Sequence, residues 1–155
     1  MMRLKSILSV AMVAMGTAAV SAAPMDELFA DYGTCYASQY DDAHLAKHPK
    51  QRVWAIYLSH TAEPDPTYDG VLLEFGFVLR NGNLYTARAY CSEGDSCSLE
   101  GDGGSFDVEL RGKTLRLSVR DFLGLEGQND FSGDLSKSDD RVFDITRQSP
   151  RACSY

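Results

Sequence analysis

Asp41, His44 and His48 follow one another at spacings of three and four residues. On a helix they share one face, and two histidines four apart can hold a metal ion through their imidazole nitrogens. They are the chain's weak metal candidate. No His-Glu-x-x-His accompanies them, and Leu45 and Ala46 supply packing, so we read a solvated face where histidine suits the helix C-terminal dipole. Glu-Gly-Asp occurs at 93–95 and again at 100–102. Neither fits a twelve-residue EF-hand loop, and both read as turns, where Gly and Asp accept unusual backbone angles. Neither a cofactor nor a metal is therefore expected.

Gly101-Asp102-Gly103-Gly104-Ser105 has the composition found around a serine-protease nucleophile, but its serine is misplaced. His60, Glu63 and Asp65 lie in a Pro-containing stretch that reads as a loop. No Gly-x-Ser-x-Gly, phosphate loop or dinucleotide fingerprint is present, and the acidic residues form no catalytic pair. The chain reads as non-catalytic. Its four cysteines lack a Cys-x-x-Cys and read as two structural disulfides.

The compartment supports that reading. Residues 1–22 have the form of a secretory signal peptide: Arg3 and Lys5, an apolar run from Ile7 to Val20, then Val20-Ser21-Ala22 before the cut. Of 155 residues, removal of 22 leaves 133; of 15 basic residues, removal of two leaves 13 against 22 acidic, a net charge of −9. The expectation is a periplasmic or secreted chain, oxidised at its cysteines and not inserted in the membrane after cleavage. The acid excess excludes nucleic acid as the main partner. Residues 23–155 are expected to form one domain.

The elements that must position these residues change period along the chain. Pro24 to Tyr32 reads as a short helix stopped at Gly33. Ser38, three residues before Asp41, begins a second helix that Pro49 ends at His48. From Arg52 onward the pattern alternates. Val71–Arg80 is the strongest strand, with Val71, Leu73, Phe75, Phe77 and Leu79 on one face. A three-residue loop, Asn81-Gly82-Asn83, sets Phe77 against Ala87, Phe75 against Ala89, Leu73 against Cys91 and Arg88 opposite Gly76. Cys91 then falls opposite Cys97, leaving Cys35 to pair with Cys153. A turn at Asp102-Gly103 sets Leu99 against Phe106 and Cys97 against Val108. A turn at Gly112-Lys113 sets Leu110 against Leu115 and Glu109 beside Arg116 as an ion pair.

With Arg52–His60 before this meander, and Leu123–Gly127 and Arg141–Arg147 after it, seven or eight antiparallel strands are expected. Gln128–Asp140 is a polar loop. The fold class is mainly all-β: a small disulfide-stapled barrel with a short N-terminal helical segment. Phe75, Phe77, Phe106 and Tyr85 should fill it. Trp54 and Tyr57 lie on opposite faces, so one is outside, against the N-terminal helix.

The run Cys35-Tyr36, with Tyr40-Asp41-Asp42-Ala43-His44-Leu45-Ala46-Lys47-His48-Pro49-Lys50-Gln51-Arg52-Val53, resembles small exported proteobacterial proteins without an assigned activity. So do Leu99-Glu100-Gly101-Asp102-Gly103-Gly104 and Asp139-Asp140-Arg141-Val142-Phe143. More loosely, the layout is similar to periplasmic lysozyme inhibitors, and that likeness implies a fold alone. Their Ser-Gly-x-x-Tyr loop has no counterpart, because Ser132-Gly133 is followed by Asp134 and Leu135. The expected function is binding of a cationic protein such as a lysozyme, with Glu93, Asp95 and Asp102 as contact residues. The alternative is a calycin-like carrier of a small apolar ligand in the barrel mouth.

Overall fold

The computed structural model describes residues 25–92 and 95–155, so the expected signal peptide and Glu93 lie outside the described residues. Eight antiparallel strands close into a barrel in sequence order. They are β1 (Cys35–Gln39), β2 (Val53–Ser59), β3 (Val71–Leu79), β4 (Leu84–Ser92), β5 (Ser96–Leu99), β6 (Gly104–Arg111), β7 (Thr114–Leu123) and β8 (Val142–Gln148). Two short helices, α1 (Met25–Leu28) and α2 (Asp42–Lys47), flank β1. One rim, here the lower, carries α1, the β2–β3 loop and both chain ends of the barrel. The upper carries α2 and the long β7–β8 connection.

The expected strand count is met by a different set of strands. Ser38 does not start a helix: it lies in β1, where its Oγ donates to the Asp144 carbonyl at 2.6 Å. α2 begins instead after Asp41, whose carboxylate accepts the His44 N–H at 2.7 Å. The local capping signal at Ser38 is overridden because β1 is paired on both sides, with β2 and with β8, and so closes the barrel. Conversely, Leu123–Gly127 is not a separate strand. β7 runs to Leu123, and the chain beyond forms one isolated bridge, Glu126 with Phe131.

Two hairpin registers differ from expectation by two residues each. In β3–β4, Phe75 faces Ala87, Phe77 faces Tyr85 and Arg88 faces Glu74. The three-residue loop is Arg80-Asn81-Gly82, since Gly82 takes the left-handed position (φ 87°) that closes such a loop. In β5–β6, Cys97 faces Phe106. The turn is Gly101-Asp102, with positive φ at both residues (66° and 61°), as a type I′ hairpin turn requires. A slip of two preserves which face each side chain takes, so the inward set is as expected. The Cys91–Cys97 and Leu110–Leu115 registers are as read from the sequence.

Both expected disulfides are present, Cys35–Cys153 and Cys91–Cys97. The barrel interior is filled by aromatic rings. Phe75, Phe77 and Phe106 have no exposed surface; Phe75 meets Phe106 at 5.1 Å and Phe77 stacks on Tyr85 at 5.3 Å between ring centres. Truncating any of these Phe side chains to Ala removes about 3–5 kcal/mol of transfer and cavity energy. Met25 and Phe29 of the α1 segment join this core, Phe29 against Tyr36. The α1 segment thus plugs the lower mouth and leaves Tyr57 to another cover. Tyr57 lies outside the barrel under the C-terminal segment, packed on the Cys35–Cys153 bridge and stacked with Tyr155. A side chain at Gly76 would collide with its ring, which is why the opposing β3 residue is glycine.

Candidate binding surfaces

The upper rim is tied together by a carboxylate from the polar stretch between β7 and β8. Asp140 is wholly buried and accepts the N–H groups of Arg52 at 2.8 Å and Val53 at 3.0 Å. Ser138 Oγ donates to it at 2.6 Å. These bonds dock the start of β2 on the β7–β8 connection, and the Arg52 guanidinium adds a bond to the Ser132 carbonyl. Arg80 closes α2, donating to the carbonyls of Leu45 and His48. The single hint in the sequence was a pair of acids, Asp139-Asp140, immediately before a strand.

Asp41, His44 and His48 do come together at α2, but as a stack. Tyr40, His44 and His48 lie ring on ring with centres 4.6 and 4.5 Å apart. His44 Nε2 is bonded to Gln51 Oε1 at 2.9 Å, and Asp41 is occupied as the helix cap. Face-to-face rings aim their nitrogens along parallel planes, not at one point. Among the described residues no group of three or more His, Cys, Asp or Glu is arranged to hold a metal.

Of the expected contact residues, Asp95 and Asp102 are described, and they are not brought together. Asp102 sits in the β5–β6 turn at the upper rim, and Asp95 in the β4–β5 connection at the lower. The Asp95 carbonyl accepts the Val108 N–H at 2.6 Å. Glu109 and Arg116 face each other as expected but do not pair. Arg116 makes a two-pronged bond to Asp144 on β8, both prongs at 2.7 Å, and Glu109 takes Arg111. The guanidinium of Arg116 holds the Asp144 carboxyl below the ordinary carboxylate range. Glu109 is already engaged by Arg111, which donates to it through both Nε and Nη2, and the two-pronged match to Asp144 takes Arg116.

A stronger acidic surface lies at the lower rim. Residues 25–34 and 60–70 contain Asp26, Glu27, Asp31, Glu63, Asp65 and Asp69 and no lysine or arginine. Backbone bonds splice the two segments: Gly33 N–H to the His60 carbonyl at 2.8 Å, and His60 N–H to the Thr34 carbonyl at 2.9 Å. Tyr32 lies across the seam, donating to the Thr61 carbonyl at 3.3 Å with its ring against His60. Tyr32 is 73% exposed, the most exposed large apolar residue among the described residues. All the named carboxylates but Asp65 are exposed. Asp65 accepts the hydroxyl and N–H of Thr67, bonds that lower its pKa, with Arg88 of β4 adding to the effect. The four ion pairs among the described residues use Asp107, Glu109, Asp134 and Asp144, none of them on this face. The sequence signal was available as a base-free stretch on either side of β1 and β2, but only their splice makes it one surface.

Two further features line the wall. A groove of 880 Å³ outside the barrel runs between α2 and the β3–β4 hairpin, with Leu45, Ala46, Trp54, Val78, Leu84 and Tyr155 among its walls. A more polar cleft of 690 Å³ separates residues 82–86 from residues 126–130. Comparison of the chain with protein-family models, with curated proteins and with solved structures finds no match.

Proposed function

We propose that this chain is a non-catalytic, exported barrel of the periplasm or cell exterior that binds a cationic protein, a basic lysozyme being the type of partner. The observation that carries the reading is the lower-rim face, where Asp26, Glu27, Asp31, Glu63 and Asp69 are exposed on the two spliced segments that meet under Tyr32, none of them in an ion pair among the described residues. Unneutralised carboxylates steer a basic protein to the face and discriminate against acidic ones. Tyr32 adds a flat amphipathic contact that accepts an arginine or lysine over its ring. The two disulfides suit an oxidising compartment and hold the face on a rigid base.

The experiment is a calorimetric titration of the protein with a basic lysozyme and, separately, with an acidic protein of similar size. Saturable one-to-one binding of the lysozyme alone supports the reading; equal binding of both, or of neither, refutes it. The carrier reading has less support at the barrel mouth, because packed rings occupy the interior. The outer groove is the surface that favours it, and the chain's single tryptophan, Trp54, lies in its wall. A blue shift of Trp54 emission on adding an apolar fluorophore-free ligand such as a fatty acid would support that second reading.

A further inference from the structure

β4 has nine residues and β5 only four, so the wall of the barrel is incomplete beside the upper half of β4. The β4–β5 ladder covers Ala89↔Leu99 to Ser92↔Ser96, and one more bond, Glu100 N–H to the Arg88 carbonyl at 2.9 Å, ends it. Continued in that register, the chain would set Asp102 beside Thr86. It turns away at Gly101-Asp102 instead. On the other side, Leu84, Tyr85, Thr86 and Ala87 are all paired to β3.

Which backbone groups this leaves open follows from the alternation of an antiparallel ladder. The hairpin closes through Leu79 N–H to the Asn83 carbonyl at 3.0 Å. Counting from that pair, Tyr85 and Ala87 exchange bonds with β3, while Leu84 and Thr86 direct N–H and C=O away from it. Thr86 is exposed, and among the described residues no strand occupies its outer side. An open strand edge is a template for another extended chain.

The edge borders the polar cleft. Across it lies the loop 126–130, held in place by Asp130, which accepts Asn83 Nδ2 at 2.9 Å and the Tyr85 hydroxyl at 2.7 Å. Glu126 and Asp130 are exposed on that loop, and Glu100 and Asp102 are exposed on the turn at the other end of the edge. We infer that the upper half of β4 is a docking edge for a short extended segment of a basic polypeptide, which adds beside Thr86 and lays its cationic side chains against Glu126, Asp130 and Asp102. Backbone pairing at Thr86 supplies the extended geometry, and the carboxylates select the charge. The edge lies at the opposite rim from the acidic face that carries the proposed function and does not depend on it.

The probe is a short peptide of alternating lysine and valine, added to the full oxidised protein, with a glutamate–valine peptide as its control. Amide hydrogen exchange read residue by residue should slow by about tenfold or more at Thr86 with the lysine peptide. Glu126→Gln should weaken its binding by about threefold, the order of one exposed charge contact. Thr86→Pro, which removes the open donor, should weaken it by about tenfold. Asp31→Asn with Asp69→Asn should leave Thr86 protection unchanged, so this edge and the lower-rim reading can fail separately. Lysine-peptide protection that appears elsewhere and not at Thr86, or equal protection of Thr86 by the glutamate peptide, overturns the inference. The exchange measurement on the unaltered chain decides it even where Thr86→Pro does not fold.

Discussion

Asp140 and Asp31 are the same residue at opposite rims of one barrel, and they do opposite things. Asp140 has no exposed surface and its oxygens are taken by two backbone N–H groups and a serine hydroxyl. Asp31 is exposed on a segment that also carries exposed Asp26 and Glu27, and no ion pair among the described residues includes it. A buried carboxylate with its acceptors filled is part of the scaffold, whereas an exposed carboxylate among like charges adds little or nothing to folding. Asp140 thus holds the upper rim together, whereas Asp31 and the exposed acids beside it in sequence leave the lower-rim face available to a partner.

The division is tested first through the scaffold. Replacing both Cys35 and Cys153 by Ala reopens the longest covalent loop, with a sequence separation of 118. The chain-entropy relation puts that loss at about 5 kcal/mol, against about 2 kcal/mol for the short Cys91–Cys97 loop. Denaturant midpoints of the two double variants should fall in that order. Asp140→Ala comes next. It leaves the Arg52 and Val53 N–H groups without their acceptor, at about 1–3 kcal/mol each, for a loss of about 3 kcal/mol in urea unfolding. Asp31→Asn, Glu63→Gln and Asp69→Asn should each change stability by no more than about 0.5 kcal/mol. If one of them matched Asp140→Ala, the lower-rim acids would be structural and the division would collapse.

The smallest effects concern pH. Asp144 is held below its ordinary pKa by Arg116, so its contribution is present above the unfolded value, about 3.9, and is lost as pH falls through the folded one. The acid limb of thermal stability should flatten in Asp144→Asn. Burial, with Asp144 and Asp140 nearby, pushes Tyr40 up to about 12. Burial and the bond to Glu74 raise Tyr57 as well. A phenol held neutral in the fold contributes fully below its unfolded pKa, about 10, and loses that contribution as pH rises toward the folded value. Stability should decline above about pH 10, and less steeply in Tyr40→Phe.

Much of this architecture was legible because alternation and small opposing residues state which face each strand buries. The inward set of β3 and β4 survives even where the register was displaced, since a two-residue slip keeps faces. What alternation could not state was where the left-handed residue of each turn falls, and so Gly82 and the Gly101-Asp102 pair set the registers. β1 was hidden because Cys35–Gln39 is short, a helix separates it from β2, and its other partner, β8, lies near the far end of the chain. The binding surfaces were less legible for the same reason. Asp95 and Asp102 are turn residues at opposite rims, while the lower-rim face is assembled from two segments with β1 and β2 between them. Asp140 carries no local pattern at all, and its role exists only once Arg52 and Val53 are brought to it.

The most direct test of the central claim is the association rate of a basic lysozyme with this protein, measured across ionic strength for the natural chain and for the combined variant Asp31→Asn, Glu63→Gln, Asp69→Asn. Steering by the lower rim predicts an association rate about tenfold lower in the variant at low salt, and two curves that converge as salt screens the face. Identical rates and identical salt slopes would contradict it.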